Sequence, residues 1–219
     1  DLTIDGNVKD HLFDGTAKLN DPNLGLDFAG KIDFTTDTIL ADFKTKIVEA
    51  NIKALGYSDA EVSILNLNAA IDYQIIGDDW WNGTIGIYDI TYASADRFYF
   101  FDTVTVVSTN IGNVHNDKVN SRLLKAELNG DYTLGDVFNS FYAEYLEFNR
   151  LSLKNIERPL IDFTFNIDLY HTDLLADILM PELYIEAGSK LKGEYQGQNK
   201  KFDVLFTSDQ VKYLSLIHI

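Results

Sequence analysis

Apolar and polar side chains alternate with a period of two along most of this chain. In one such run, Leu24, Leu26 and Phe28 are separated by Gly25 and Asp27. This pattern is typical of β-strands that have one apolar face and one face in water. It predicts strands within residues 2–8, 24–34, 39–52, 65–75, 84–92, 98–108, 124–132, 161–169, 190–197 and 202–207.

Turn-forming residues separate neighbouring strands at short range. They occur at residues 20–23, 77–79, 110–117 and 197–199. Parallel strands need a crossover of a dozen or more residues, whereas antiparallel strands can be joined by a tight turn. The spacing therefore predicts an all-β fold with two short helices, whose strands form a curved antiparallel meander.

Two segments have helical periodicity instead. Leu134–Phe148 has an apolar stripe, and Thr133 precedes it as the expected N-cap. Residues 172–179 predict a shorter helix that begins at Thr172 and is closed by Pro181. We expect both helices to bury their apolar stripes on the sheet or at one end of it. The stripe of the longer helix comprises Val137, Phe138, Phe141, Tyr142, Tyr145 and Leu146.

A short glycine pattern recurs along the chain. Its form is apolar-x-Gly-x-apolar, with alanine counted as apolar, and each glycine is in phase with the apolar face of its strand. A glycine at such a position leaves room between large side chains and lets a sheet bend. The repetition predicts an architecture that curves in the same direction along its length. The pattern is centred on Gly6, Gly15, Gly30, Gly83, Gly130 and Gly193.

The sequence offers few groups for catalysis or metal binding. Cysteine is absent, which excludes disulfides, thiolate–metal sites and thiol catalysis. The histidines His11, His115, His171 and His218 are not spaced as metal ligands, and the acidic turns lack the ligand spacing of a calcium loop. The many carboxylates leave a glycosidase pair open by number alone, but most fall on the polar phase of strands. The chain is therefore predicted not to be an enzyme, and to have no cofactor and no metal.

The formal charge of −16 limits the class of partner. Nucleic-acid binding requires a basic surface that neutralises phosphates, and attraction to anionic lipid headgroups requires a basic patch. Neither is visible in the sequence. We expect no nucleic-acid partner, and we interpret the acidity as a means of keeping the polar face solvated.

The two ends of the sequence are unusual. Residues 1–4 resemble neither a signal peptide nor an initiation site, which indicates an internal fragment of a longer protein. Residues 214–219 read Leu-Ser-Leu-Ile-His-Ile and resemble the translation of a transposon-derived sequencing adapter. We therefore predict one repetitive β-domain over residues 1–213 and a non-native tail over residues 214–219.

Several segments, taken in order, resemble the AsmA-like/TamB family, the translocation and assembly module, in its Bacteroidetes-type form. The resemblance covers nearly all of residues 1–213. Its most specific part is a long strand followed by a short helix and then MPELYIEAGSKLKGEYQG. The segments that carry the resemblance are residues 79–92, 98–108, 121–134 and 159–197.

The family resemblance implies a long, open, taco-like sheet with a concave apolar groove and a polar outer face. Family members are anchored in the inner membrane and span the periplasm. They are implicated in moving phospholipid to the outer membrane and in assembling outer-membrane proteins. The resemblance thus implies phospholipid acyl chains as ligands, and an outer-membrane assembly barrel protein as a partner through regions outside this sequence.

The apolar phase of the predicted strands supplies the candidate groove lining. Alternation alone also fits the core of a closed sandwich, so an extracellular or periplasmic β-sandwich or adhesin-like scaffold module is the alternative function. The candidate lining residues are Phe28, Ile32, Phe34, Leu67, Ile71, Tyr73, Ile85, Leu128, Tyr132, Phe163, Phe165, Ile167, Leu191, Tyr195, Phe202, Val204 and Phe206.

Overall fold

The computed structural model describes residues 1–57, 63–77, 80–95, 97–148, 158–172 and 183–213. The chain divides into two compact units, Asp1–Ser108 and Thr109–Ile219. Residues 173–179 of the second predicted helix and the predicted tail at residues 214–219 lie outside the described residues. The predicted antiparallel meander with a helix at Leu134–Phe148 is confirmed.

The first unit is built from consecutive antiparallel strands, each paired with the one before it. The last three residues of the seventh strand are counted with the second unit. The strands are β1 (Leu2–Lys9), β2 (Leu12–Asp21), β3 (Leu24–Asp33), β4 (Thr38–Asn51), β5 (Ser63–Ile76), β6 (Trp80–Ser94) and β7 (Phe98–Ile111).

Tight turns explain why these strands run antiparallel. Pro22 and Asn23 connect β2 to β3, and the Asn23 amide donates a hydrogen bond of 2.9 Å to the side chain of Asp21. Between β1 and β2, Asp10 and His11 both have positive φ, at 48° and 67°. Two successive residues of this kind form the turn whose twist matches that of a two-residue hairpin.

Cross-strand pairing places the apolar side chains of the first unit on one face. Ile71 on β5 lies opposite Phe43 on β4 and Ile85 on β6, and Ile85 lies opposite Val106 on β7. Directly paired residues share a face of the sheet, so this row is continuous across four strands. Because the side-chain period is two, the alternating polar residues lie on the opposite face.

Two irregularities preserve this arrangement in the longer strands. The register shifts between Ile47 and Ala50 on β4, and again where β5 pairs with β6. Glu49 and Asp89, which lie at these shifts, both have a φ of 51°. A β-bulge inserts one residue and changes the side-chain phase, so the apolar residues beyond each bulge stay on the apolar face.

Aromatic side chains stand opposite four of the six repeated glycines, whereas Gly6 and Gly15 pair with each other. An added Cβ on Gly83 would lie 2.7 Å from Cα and 2.8 Å from Cδ2 of Tyr73, and the φ of Gly83 is +140°. No other residue could take this place without displacing the neighbouring strand, so the repeat has a steric cause as well as a conformational one. The corresponding pairs are Gly30 with Phe43, Gly83 with Tyr73, Gly130 with Phe163 and Gly193 with Phe165.

The second unit contains a further antiparallel sheet, a two-stranded ribbon and the helix. The helix separates β9 and β10 in sequence, although these two strands are hydrogen-bonded neighbours. The elements are β8 (Val114–Ser121), β9 (Leu124–Asp131), α1 (Leu134–Phe148), β10 (Asp162–Leu169), β11 (Leu183–Ile185), β12 (Lys190–Gln196), β13 (Lys201–Thr207) and β14 (Val211–Tyr213). The sheet order is β8-β9-β10-β12-β13, and β11 pairs with β14.

Helix α1 begins as the sequence predicts but packs in a different orientation. The Asp136 amide donates a hydrogen bond of 3.1 Å to the hydroxyl of Thr133, which confirms the N-cap. The buried side chains are Ser140, Ala143 and Leu146. The prediction that the whole aromatic stripe is buried is wrong, because Phe138, Tyr142 and Tyr145 are exposed. The side of the helix that faces the protein therefore carries two small side chains and one leucine, and three of the bulky side chains face outward.

Candidate functional site

The predicted lining residues of the first unit occupy one face, with one exception. Phe28, Ile32, Leu67, Ile71, Tyr73 and Ile85 all belong to the apolar phase set by strand pairing. We call this surface the first apolar face; besides these residues it includes Phe13, Phe43, Ile47, Leu65, Ile87, Val104 and Val106.

Phe34 is the exception. Strand β3 ends at Asp33, and Phe34 follows it with 51% of its surface exposed. Its backbone amide donates a hydrogen bond of 2.9 Å to the carbonyl of His11, so it belongs to the turn region at the end of the sheet. Phe34 therefore lies just beyond β3, because the alternation continues one residue further in sequence than the strand does.

A ladder of three phenylalanines crosses β2, β3 and β4 on the first apolar face. The ring centroids of Phe13 and Phe28 are 5.5 Å apart, and those of Phe28 and Phe43 are 4.8 Å apart. These are distances at which aromatic rings contact. The candidate lining omitted Phe13 and Phe43, although the alternation in their own strands places both in the apolar phase.

The first apolar face lacks a covering layer in the described part of its unit. Within residues 1–108, the buried hydrophobic side chains among those described are Ala50, Ala69 and Trp81. Trp81 lies in the same phase of β6 as Ile85 and is the one large side chain of the described face that is buried. The other large aliphatic and aromatic side chains named for the face retain partial exposure, and Leu2 and Ile4 on β1 are exposed. A sheet packed against a second sheet would bury such residues fully.

The second unit differs, because α1 covers part of its apolar face. Phe163 and Phe165 on β10 and Tyr195 on β12 are buried. The Phe141 ring lies 5.3 Å from that of Phe165 and 5.1 Å from that of Phe202. The predicted lining residues on this face are Leu128, Phe163, Phe165, Ile167, Leu191, Tyr195, Phe202, Val204 and Phe206, and Tyr132 lies directly after β9.

A small polar cluster lies beside this covered region. The Tyr132 hydroxyl donates a hydrogen bond of 2.7 Å to the carboxylate of Asp117. The His115 ring is buried, with its centroid 5.0 Å from that of Tyr132, and its Nδ1 is 3.2 Å from the side-chain nitrogen of Asn110. These contacts satisfy the Tyr132 hydroxyl and a ring nitrogen of His115, whereas the buried side-chain oxygen of Asn110 has no hydrogen-bond partner among the described residues. Among the described residues, no group of three His, Cys, Asp or Glu side chains could hold a metal ion.

Charged pairs line the opposite face of both units. Lys18 and Asp27 are 3.1 Å apart across β2 and β3. Glu127 accepts a hydrogen bond of 2.8 Å from the Asn116 side chain, and this bond is the main cause of a pKa below the usual 4.5 for that carboxyl group. Lys118, 3.5 Å from Glu127, acts in the same direction. These charged and hydrogen-bonded side chains make the opposite face hydrophilic.

Two hollows of the first unit also lie on the charged side of the sheet. One has a volume of about 710 Å³ and includes Lys44, Lys46 and Tyr88 in its wall. The other has a volume of about 460 Å³ and includes Asp42 and Asp72. Neither hollow is the apolar groove that the family resemblance implies, and the first apolar face is an uncovered sheet surface in the described part of its unit.

No described helix is long and apolar enough to span a membrane. Comparison of the chain with protein-family models, with curated proteins and with solved structures gave no match. A functional interpretation therefore depends on three surfaces. They are the uncovered first apolar face, the partly covered face of the second unit, and the charged outer surfaces.

Proposed function

We propose that the first apolar face binds phospholipid acyl chains, and that this chain is a segment of a periplasm-spanning lipid conduit of the AsmA-like/TamB type. The observation that carries the proposal is the extent of the face, which includes side chains from all seven strands of its unit without a covering layer among the described residues. Contiguous apolar surface of this kind is rare in soluble monomers unless it has a function.

The energetics of lipid movement favour such a surface. Exposing acyl chains to water costs about 0.8 kcal/mol per CH₂, or roughly 12 kcal/mol for one sixteen-carbon chain. An apolar sheet face lowers this barrier by replacing water around the chain, and no catalytic group is needed. The mixed aromatic and aliphatic side chains of the face suit a flexible ligand that makes few hydrogen bonds.

A closed sandwich scaffold is the less favoured reading. Its function would depend on a sealed core, yet the aliphatic side chains of β5 and β6, including Ile71 and Ile85, remain partly exposed. The charged face has the opposite character and keeps the sheet soluble while the apolar face is occupied. The formal charge of −16 also disfavours recognition through anionic headgroups and leaves the acyl chains as the recognised part.

Site-specific photocrosslinking in cells tests this proposal. The photoreactive residue is placed at Ile71 or Ile85 on the apolar face, and at the adjacent Asp72 or Thr84 on the charged face as matched controls. We expect phospholipid adducts from the first pair of positions and none from the second. Equal labelling of both faces, or none at any of the four positions, would favour the scaffold.

A further inference from the structure

Helix α1 presents its large apolar side chains to solvent. Phe138 is 74% exposed and Tyr145 is 58% exposed, whereas Ser140 and Ala143 on the other side are fully buried. Residues three or four apart share a face of a helix, so the exposed side chains form one stripe. We call this the α1 stripe; it comprises Leu134, Phe138, Phe141, Tyr142 and Tyr145.

Apart from Phe141, the residues of the α1 stripe are not needed to attach the helix. Attachment is provided by the small buried side chains, by Leu146, and by the contact of the Phe141 ring with Phe165 and Phe202. An exposed aromatic face that contributes little to folding indicates an interaction surface. We propose that the α1 stripe docks this protein on the surface of an electrically neutral lipid bilayer, with the helix lying in the interface.

Charge supports a neutral bilayer as the occupant. Helix α1 contains no lysine or arginine. Its acidic residues Glu144 and Glu147 both pair with Arg158, and the Glu144 contact measures 2.5 Å. One guanidinium balances only one of these two carboxylates, and Asp136 adds a further negative charge, so the helix remains net acidic. It also lacks the basic residues that draw amphipathic helices to anionic membranes. The net charge of −16 would repel an anionic surface.

The distribution of side chains also fits an interface. Leu134 and Phe138 are purely apolar and lie in the first half of the helix. Tyr142 and Tyr145 stack in the second half, with ring centroids 6.4 Å apart. Tyrosine prefers the membrane–water boundary because its ring is apolar and its hydroxyl is polar. A tilted helix would thus insert its first half more deeply.

The breadth of the apolar surface favours a bilayer over a groove in another protein. Phe141 connects the stripe to Phe202 on β13. On the same face of β13, Val204 and Phe206 are also exposed. The surface is therefore a helical ridge with an apolar strand beside it, which is wider than the single stripe that a helix-binding groove receives.

Flotation of the 219-residue chain with phosphatidylcholine vesicles tests the inference. Phe138→Glu and Tyr142→Glu remove apolar contact from the stripe, and Phe98→Glu is a matched control because Phe98 lies on β7 with 69% exposure. Each stripe variant should lower the partition coefficient by about tenfold or more, because a charged side chain replaces an aromatic ring that would lie in the apolar part of the interface. Phe98→Glu should leave binding unchanged.

Several results would overturn the inference. They are an equal loss of binding in Phe98→Glu, stronger binding when an anionic phospholipid replaces part of the phosphatidylcholine, or no vesicle binding by the unaltered chain. A dimer in sedimentation that Phe138→Glu dissociates would assign the stripe to a second copy. Circular dichroism of each variant checks folding. Acyl-chain crosslinking from Ile71 tests the conduit separately, because it does not depend on the α1 stripe.

Discussion

Glu127 illustrates at the scale of one residue how the charged face is held in water. Its carboxylate lies between the Asn116 amide and the Lys118 ammonium group, and both interactions stabilise the charged form. Its pKa is therefore lower in the folded chain than in the unfolded chain. The stabilisation is present above the ordinary pKa of 4.5 and is lost as the pH falls through the lower, folded value.

We expect Asn116→Ala to raise the pKa of Glu127, because the hydrogen bond to the carboxylate is the largest cause of the shift. An NMR titration of side-chain carboxyl groups measures this change directly. Asn120→Ala is a suitable control, since Asn120 lies on the same strand and faces Lys125 rather than Glu127. An unchanged Glu127 titration in Asn116→Ala would mean that the lysines alone account for the shift.

Helix α1 begins where the sequence predicts, but the sequence does not predict which side of the helix is buried. Thr133 ends the irregular segment after β9, and its hydroxyl accepts the hydrogen bond from the Asp136 amide. The hydroxyl of Ser140 donates to the carbonyl of Asp136 at 2.8 Å, which satisfies a polar group on the buried side of the helix. These contacts define the start of the helix and the side that faces the protein.

Thr133→Ala should destabilise the second unit by about 1 kcal/mol, because one amide at the start of α1 loses its acceptor. Thr133→Ser keeps the hydroxyl and should retain most of the stability. Urea unfolding followed by circular dichroism compares the three proteins. If Thr133→Ser and Thr133→Ala lower the free energy of unfolding equally, the threonine methyl group rather than the N-cap hydrogen bond is responsible.

At the scale of the whole molecule, the two apolar faces differ in what lies over them. Phe165 is buried beneath Phe141 and beside Phe202, with ring centroids 5.3 Å and 6.1 Å away. Ile71 lies on the first apolar face, where no described part of its own unit forms a cover. Water can therefore reach a new charge at position 71 more easily than at position 165.

Phe165→Asp should consequently lower the free energy of unfolding by about 3 kcal/mol or more, and Ile71→Asp by roughly 1–2 kcal/mol, since a charge is costly where it cannot be hydrated. Urea denaturation of both variants gives the comparison. Equal losses would contradict the difference in cover between the two faces. A separate Ile71→Ala variant distinguishes the effect of the new charge from that of the lost isoleucine side chain.

The sequence alone predicted most of the strands, their antiparallel order and the division into an apolar and a charged face. These properties depend on local chemistry, because a period of two assigns each side chain to a face and a tight turn reverses the chain. The in-phase glycines were recognisable for the same reason. The sequence did not predict β2 (Leu12–Asp21) or β8 (Val114–Ser121), and β8 begins inside the turn predicted at residues 110–117. The exact end of β3 was not predictable, because the alternation continues to Phe34 whereas the strand ends at Asp33.

Only the tertiary structure decided what covers each apolar face. Alternation is the same in a sealed core and on an uncovered sheet, so Phe165 and Ile71 were indistinguishable in sequence. The sequence was equally ambiguous for helix α1, because its aromatic stripe predicted that this side of the helix would be buried. In the structure Ser140 and Ala143 are buried instead, and most of the stripe is exposed. Which of two helix faces is buried depends on the shape of the contact surface, and shape is a property of elements that are distant in sequence.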